Sequence, residues 1–407
     1  MNNNERRNTQ GERQRSQMEN RASNRYEESG EVRSAQLKDS RNRNGKNKKK
    51  PLSANAKWGI ALLVEVVVMI ILVACFAVWY VNDKLGKVQR VELNDDVIEA
   101  NEGANEMMKG YKTIALFGID SRSKDDMGEG NRTDCIIIMS INNDTKEVKM
   151  VSIYRDTLLL MDDGSNLTTK VNAAYSYGGP ELAIKTLNKN LDLEITDFVT
   201  VNFLALTKAI DDLGGLDIEV KSGELEMMNA AIAEQMSITG IYSDGVFETG
   251  LVHLNGTQAT AWSRVRSTDQ GDITRTERQR TVISKMISKA KKSGLNAIDE
   301  VLDDVCPNIY TSLEKDEMKD MIKEMFDYEL VDSVGFPMAY TPVDHESKGS
   351  ILVPANLNAN VSALHKYLFN TDNYEPTQTV QNISNQIENE TGVGEQQIDI
   401  NVLPPAE

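Results

Sequence analysis

Residues 58–81 read WGIALLVEVVVMIILVACFAVWYV, 24 positions carrying a single charge, Glu65. As a helix rising about 1.5 Å per residue the run is about 36 Å long, enough to cross a hydrocarbon core of about 30 Å with some tilt. Trp58 opens it and Trp79 with Tyr80 closes it, the aromatic anchoring expected at two membrane–water interfaces. It is too long for a cleaved leader, lies too far from residue 1, and ends without a small-residue cleavage site. Seven Lys and Arg fall within residues 41–57, so the positive-inside bias places the N-terminus in the cytoplasm and residues 83–407 outside. The expectation is a single-pass membrane protein with a large extracellular region. An ionised Glu65 would be costly there; a protonated side chain on a long apolar helix is the simpler reading, a partner contact within the membrane the sharper one.

Charge divides the chain in the same way. Residues 1–57 hold 15 Lys and Arg against 7 Asp and Glu, whereas residues 83–407 hold 30 against 54. The net charge of −17 thus hides a basic head and an acidic body, which excludes a uniformly basic nucleic-acid coat. The head is rich in Asn, Arg, Glu and Ser and is expected to be disordered. Its Lys48, Lys49 and Lys50 adjoin the span, where anionic lipid is the nearest partner. Cys75, Cys135 and Cys306 form no CxxC pair, and His253, His345 and His365 are scattered. Neither a zinc site, a disulfide framework nor a His-centred triad has material to build on.

Residues 82–110 are polar and helix-compatible, which suggests a stalk. From residue 111 the pattern becomes dense. Residues 113–118 (TIALFG), 135–141 (CIIIMSI) and 148–153 (VKMVSI) are short β-rich runs bounded by turn residues, as in strands of one sheet. Helices are expected at 172–177 and 181–190, separated by Gly178-Gly179-Pro180. A strand at 198–203 leads into a helix ended by Gly214-Gly215, and further helices are expected at 256–264, 274–292 and 316–328. Strands alternating with helices indicate an α/β domain, a central sheet covered by helices, over residues 111–370. Residues 371–407 contain seven acids and no Lys or Arg, and are expected to be a disordered acidic tail.

Two acids stand at strand ends. Asp120 follows the first strand (GIDSR) and Asp134 opens the second. If those strands are neighbours, both carboxylates meet at one sheet edge, a hard-oxygen pair suited to Mg²⁺, although strand-terminal Asp residues are more often turn formers. Arg122, Arg132 and Arg155 lie in loops beside them, and Arg264, Arg266, Arg275 and Arg278 cluster in SRVRSTDQGDITRTERQR. Thr274-x-x-Glu277 has the form of a capping box, so Arg275 would start a helix whose face continues through Gln279, Val282 and Met286. A cation at a helix N-terminus is disfavoured by the dipole unless an anion, phosphate above all, sits there too. The plainer reading, a solvated basic helix, suits Arg280 and Lys285.

GIDSR, NRTD, SIYRDT, KVNAAYSYGG, SRVR and RTERQ occur in this order, and together they resemble the LytR-CpsA-Psr family over residues 111–292, with a looser match to about residue 370. The resemblance implies a central mixed β-sheet flanked by helices behind one transmembrane helix, in a Gram-positive envelope. It also implies an activity: moving a glycopolymer phosphate from a polyprenyl-pyrophosphate carrier onto peptidoglycan. Asp120 and Asp134 match the acids that hold Mg²⁺, and Arg155, Arg264, Arg266 and Arg275 match pyrophosphate-binding arginines. Arg122, Arg132, Lys170, Arg278 and Gln279 fall in matched motifs. A metal with cationic clamps agrees with the physics of phosphoryl transfer. The implied partners are the lipid-linked donor, peptidoglycan and membrane lipid, without nucleic acid. Residues Leu158, Leu159, Leu160, Met161 and Phe203 suit a lipid groove or ordinary core packing equally. The chain departs from the family pattern in a long acidic spacer between Asp120 and Asp134, in Tyr154 before Arg155, and in Ile273 after Asp272. Two alternatives stay open: a pyrophosphatase acting on the same carrier, and a transmembrane regulator with a nucleic-acid-binding tail, which the head's lack of aromatic interleaving disfavours.

Overall fold

Seven strands form one mixed sheet in the order β1-β10-β7-β2-β3-β4-β11. In this computed structural model they are β1 (Gln89–Arg90), β2 (Tyr111–Ile119), β3 (Thr133–Asn142), β4 (Glu147–Ile153), β7 (Asp197–Asn202), β10 (Ile309–Thr311) and β11 (Glu329–Phe336). β2 pairs antiparallel with β3 and β3 with β4, whereas β2–β7, β4–β11 and β1–β10 are parallel. Three two-stranded ribbons stand apart: β5 (Leu158–Leu160) with β6 (Thr168–Lys170), β8 (Leu216–Val220) with β9 (Gly250–Leu254), and β12 (Tyr340–His345) with β13 (Gly349–Pro354). The structure describes residues 80–94, 101–102, 104, 108–121, 127–266, 271–293 and 295–394, together with Met69. Apart from Met69, these belong to the unit Phe76–Glu407. The basic head, most of the 58–81 run, Arg122 and residues 395–407 lie outside the described residues; among the described ones no helix is long and apolar enough to cross a membrane.

The two faces of the sheet meet different helices. Phe117, Ile119, Ile136, Ile138, Phe198 and Phe336 bury one face against α1 (Asn172–Leu191) and α8 (Leu357–Phe369). α1 contains both expected helices, and Gly178 and Gly179 between them leave helical geometry, Gly179 with φ +63°, where glycine meets little steric cost. The opposite face looks toward α2 (Phe203–Asp212), α5 (Gly271–Lys292), α6 (Leu295–Val305) and α7 (Lys315–Glu324). Between β8 and β9 lies α3 (Leu225–Thr239), and α4 (Gly256–Trp262) follows β9; Asn255 caps α4 by accepting from Gln258 N at 2.9 Å. A central mixed sheet flanked by helices is thus observed.

Both ends of the domain differ from expectation. The described residues within 82–110 pack onto the domain rather than standing off it as a stalk: β1 enters the sheet, Leu85 and Met108 are buried, and Lys84 is 2% exposed. Their polarity serves bonds to the domain, such as Lys84 to Asp303 (2.9 Å) and Arg90 Nε to the Ser312 carbonyl (3.1 Å). The tail is not disordered throughout either. α9 (Gln378–Thr391) is capped by Thr377 and buries Val380, Ile383 and Ile387, spaced three and four apart on one face. Asp192 fixes its start, accepting from Thr377 N at 2.8 Å and Thr377 Oγ1 at 2.7 Å. Helix boundaries move as well. α5 begins at Gly271, so Thr274 is no N-cap and Arg275 lies past the first turn.

Candidate active site

A β-bulge aims Asp134. Gly118 faces Cys135 and Ile119 faces Thr133, so Asp134 is an extra residue on β3 with no partner of its own on β2. Its carbonyl is left for side chains of α5: Arg275 Nη2 donates to it at 3.2 Å and Gln279 Nε2 at 3.4 Å. Its carboxylate pairs with Arg155, which follows β4, and lies 3.9 Å from Arg275 Nη1. Burial alone would raise the Asp134 pKa, yet Arg275, Arg155 and Arg266 outweigh it and hold the carboxyl below its usual range. Asp134 is therefore ionised across the neutral range, beside the guanidinium groups of Arg155 and Arg275.

The sequence-predicted residues divide into those that join this cluster and those that do not. Asp134, Arg155, Arg275 and Gln279 come together, and the exposed Arg266 acts on the Asp134 charge without touching it. Asp120 is exposed just past β2, which runs antiparallel beside β3, so the two acids do occupy one sheet edge. Arg132 is exposed immediately before β3. Lys170 is tied 2.9 Å from Asp156, which also lies 3.5 Å from Arg155. Asp156 was missed as a site residue, although SIYRDT placed an acid directly after Arg155; it bridges two cations and steadies both. Arg264 is held on the α3 side, donating to Gln235 (3.1 Å) and Glu234 (3.0 Å), with its guanidinium 4.5 Å from the Phe203 ring centroid.

Arg278 is the clear exception. It is 4% exposed, with Nη2 donating to Glu224 at 2.8 Å and Nη1 to the Val265 carbonyl at 2.6 Å. Trp262 Nε1 donates to the other Glu224 oxygen at 3.0 Å. Arg278 thus braces the turn after α4, between Arg264 and Arg266, rather than facing the Asp134 cluster. Arg280 departs from the solvated reading: it is 9% exposed, set near Tyr154, Tyr367 and Cys135, and burial lowers its pKa.

An apolar cavity begins at the cluster. About 290 Å³ of space opens between the sheet and α5, bordered by Asp134, Gly118, Phe203 and Gln279 at one end and by Val199, Val282 and Met286 further in. A Cβ on Gly118 would meet Cys135 Cβ at 2.9 Å, so glycine lets Cys135 lie close against β2 beside the bulge. A second cavity of about 410 Å³, lined by Ile298, Leu302, Met321 and Tyr328, shares Met286 and Ile287 with the first. Of the residues expected at a lipid groove, Phe203 lines this space, whereas Leu158, Leu159 and Leu160 pack into the closed core on the opposite face.

Fold and site together define an α/β domain that presents a cationic, acid-centred cluster beside an apolar cavity. The chain belongs to the LytR_cpsA_psr family, whose family model matches residues 78–362. Among curated proteins it is 30% identical over 234 residues to the polyisoprenyl-teichoic acid–peptidoglycan teichoic acid transferase TagV of Bacillus subtilis, covering 57% of this chain and 55% of that one. To TagU of Bacillus cereus, a transferase of the same description, it is 33% identical over 238 residues, 58% of this chain and 71% of the relative. The chain thus spans little more than half the length of the Bacillus subtilis protein. Among solved structures, a Streptococcus agalactiae protein superposes with a TM-score of 0.55 at 24% identity, covering 68% of this chain and 93% of its own. An Enterococcus faecalis protein described as a transcriptional regulator gives 0.52 at 25% identity, over 72% and 97%.

Proposed function

We propose that this chain is a membrane-anchored phosphotransferase that moves a glycopolymer phosphate from a polyprenyl-pyrophosphate carrier onto peptidoglycan. One observation carries the reading: the cationic cluster at Asp134 and the apolar cavity share an entrance. A ligand that satisfies both ends is an amphiphile with a polyanionic head and a long hydrocarbon tail. The names of the relatives point to the same donor and acceptor.

In this scheme the pyrophosphate lies against Arg155, Arg266 and Arg275, with Arg132 and Arg264 at the rim and Lys170 behind Asp156. An acceptor hydroxyl oxygen bonds to the phosphorus that bears the glycopolymer as its proton passes to water. The bond from that phosphorus to the bridging oxygen breaks, and polyprenyl phosphate leaves with the electron pair. The arginines stabilise charge spread over the phosphoryl oxygens. Asp134, kept ionised by its neighbours, holds Arg155 and Arg275 in place. Asp120 and Asp134 form a donor set that fits Mg²⁺, since that ion commonly takes one or two carboxylates and completes its shell with phosphate oxygens. When bound it would neutralise charge on the pyrophosphate.

The reading also places residues 58–81 across the membrane, the head in the cytoplasm and the domain outside, as the Lys and Arg of residues 41–57 support. The test is a transfer assay with full-length protein, a polyprenyl-pyrophosphate-linked glycopolymer and peptidoglycan, with and without chelator, followed by mass spectrometry of the products. Glycopolymer joined to peptidoglycan by a phosphodiester, lost on chelation, is the expected result. Glycopolymer phosphate released into water, with none on peptidoglycan, would make the chain a hydrolase instead.

A further inference from the structure

α1 is broken where it meets the loop that leads into β3. In an unbroken α-helix the Ser176 carbonyl would accept from the amide of residue 180, but that residue is Pro180, which has no N–H. Gly178 and Gly179 leave helical geometry just before it, and Gly179, at φ +63° and ψ −156°, takes a backbone open to glycine almost alone. The released carbonyl is taken from outside the helix, where Gly130 N donates to it at 3.0 Å. A Cβ on Gly179 would meet Glu129 N at 3.5 Å, so the loop lies directly on the break. Asn131 closes the loop on itself, its Nδ2 donating to the Gly128 carbonyl at 3.1 Å.

Tyr175 holds the same loop from the core side. Its side chain is wholly buried, and its hydroxyl donates to the Met127 carbonyl at 2.6 Å. A carbonyl only accepts, so the single phenolic proton is committed there, and Thr200 Oγ1, 2.9 Å away, donates in turn to Tyr175 Oη. Phe117 and Thr200 face each other across β2 and β7, and the Tyr175 ring stands edge-on to Phe117 with centroids 5.1 Å apart. Ring and hydroxyl are both fixed by the sheet. Packing alone asks for no hydroxyl here, since phenylalanine would fill nearly the same space. What the hydroxyl adds is a bond to the loop.

Arg132 stands between two anchors: Gly130, held on α1, and Thr133, which pairs with Ile119 on β2 one residue ahead of the Asp134 bulge. We propose that Tyr175 and the Gly178–Pro180 break are positioning elements of the site, acting through the Met127–Asn131 loop to set Arg132 against the pyrophosphate head of the donor. The inference rests on the transferase reading and deepens it. A guanidinium on a loose loop has to be ordered at every turnover, and a misplacement of about 1 Å can cost on the order of 10²-fold in rate.

Three full-length variants test this. Tyr175→Phe keeps the ring on Phe117 and loses the hydroxyl. Gly179→Ala combined with Pro180→Ala returns a helical amide to the Ser176 carbonyl. Arg132→Gln removes the cation that the loop is argued to place. Amide hydrogen exchange across residues 127–131, read by mass spectrometry, is expected to quicken about tenfold or more in the first two. In all three, kcat/KM for transfer from a polyprenyl-pyrophosphate-linked glycopolymer should fall about tenfold. Added to Arg132→Gln, either of the other changes should cost no more than about twofold further, because its effect passes through Arg132. A merely structural Tyr175 costs the same factor in both backgrounds; that additivity overturns the proposal, as does unchanged exchange in the loop. Should Tyr175→Phe fail to fold, the Gly179 and Pro180 double variant is read in the same cycle. A wild-type chain that transfers nothing overturns the transferase reading and takes the role of Arg132 with it, while quickened exchange in Tyr175→Phe still shows that the loop depends on Tyr175.

Discussion

The two faces of the central sheet carry equally apolar side chains but are finished differently. On one, Phe117, Phe198 and Phe336 are wholly buried against α1 and α8. On the other, Val199, Val201 and Leu116 line open space that α5 and α6 roof without filling. A close-packed face stores stability, whereas a hollow face gives some up to keep a shape that suits a ligand. The charges follow the same division, since Asp134, Arg155 and Arg275 gather where the hollow begins.

This contrast can be broken most forcefully by truncation. Phe198→Ala is expected to cost about 3–5 kcal/mol in urea unfolding, because the closed face cannot collapse around the gap. Val201→Ala, on the hollow face, should cost under about 1 kcal/mol, as no new cavity is made in packed core. Equal losses would mean that both faces are packed alike. Next in size is the loss of a cationic clamp. Arg155→Gln is expected to reduce transfer about 10²–10³-fold while Asp134 keeps Arg275 as a partner, a change read from kcat with substrate saturating. Normal kcat in that variant would remove Arg155 from the site.

A third effect belongs to the closed face. His365 is fully buried, stacks on Tyr374 at 3.7 Å and has its Nε2 3.0 Å from the Leu191 carbonyl; burial pushes its pKa down to about 4. The unfolded chain takes up the proton near the ordinary value of about 6.5, so stability present above that pH is lost as pH falls toward 4, by about 3 kcal/mol in all. His365→Gln should flatten the pH dependence of unfolding across this window, and an unchanged slope would show that other groups set it. The smallest change in stability is expected from filling the hollow. Val282→Phe should alter unfolding by under about 1 kcal/mol, because the added ring enters existing space rather than packed core. Titration with a polyprenyl phosphate should nevertheless show binding abolished; binding as tight as wild type would place the lipid elsewhere.

Much of this was legible in the residues. β2, β3 and β4 announce themselves as β-branched runs between turn residues, and Gly178-Gly179 marks the break in α1 where only glycine adopts the observed backbone easily. The six motif blocks led to Asp134, Arg155, Arg275 and Gln279. Other features depend on what packs against what. Arg275 and Arg278 are one turn apart on α5, yet one meets Asp134 and the other Glu224, which lies in a distant stretch of sequence. Arg280 is charged in a polar helix and looks solvated until Tyr154 and Tyr367 cover it. The stripe of Val380, Ile383 and Ile387 was diluted by the Asn, Gln and acids around it, so composition pointed to disorder where periodicity pointed to a helix. The bulge at Asp134 has no sequence marker at all, being a property of how β3 lies on β2.

The pairing of β1 with β10 sets a timetable for the chain. Gln89 is made early and faces Tyr310, so the first strand of the sheet waits for more than half of the protein before it has a neighbour. At roughly 5–20 residues per second on the ribosome, the wait is on the order of ten to forty seconds. During that interval Lys84 lacks its two carboxylate partners, since neither Asp299 nor Asp303 is yet made. The joint of Lys84 with Asp299 and Asp303 is thus among the last to close, and a nascent chain that stalls before residue 299 has nothing yet made for it to close upon.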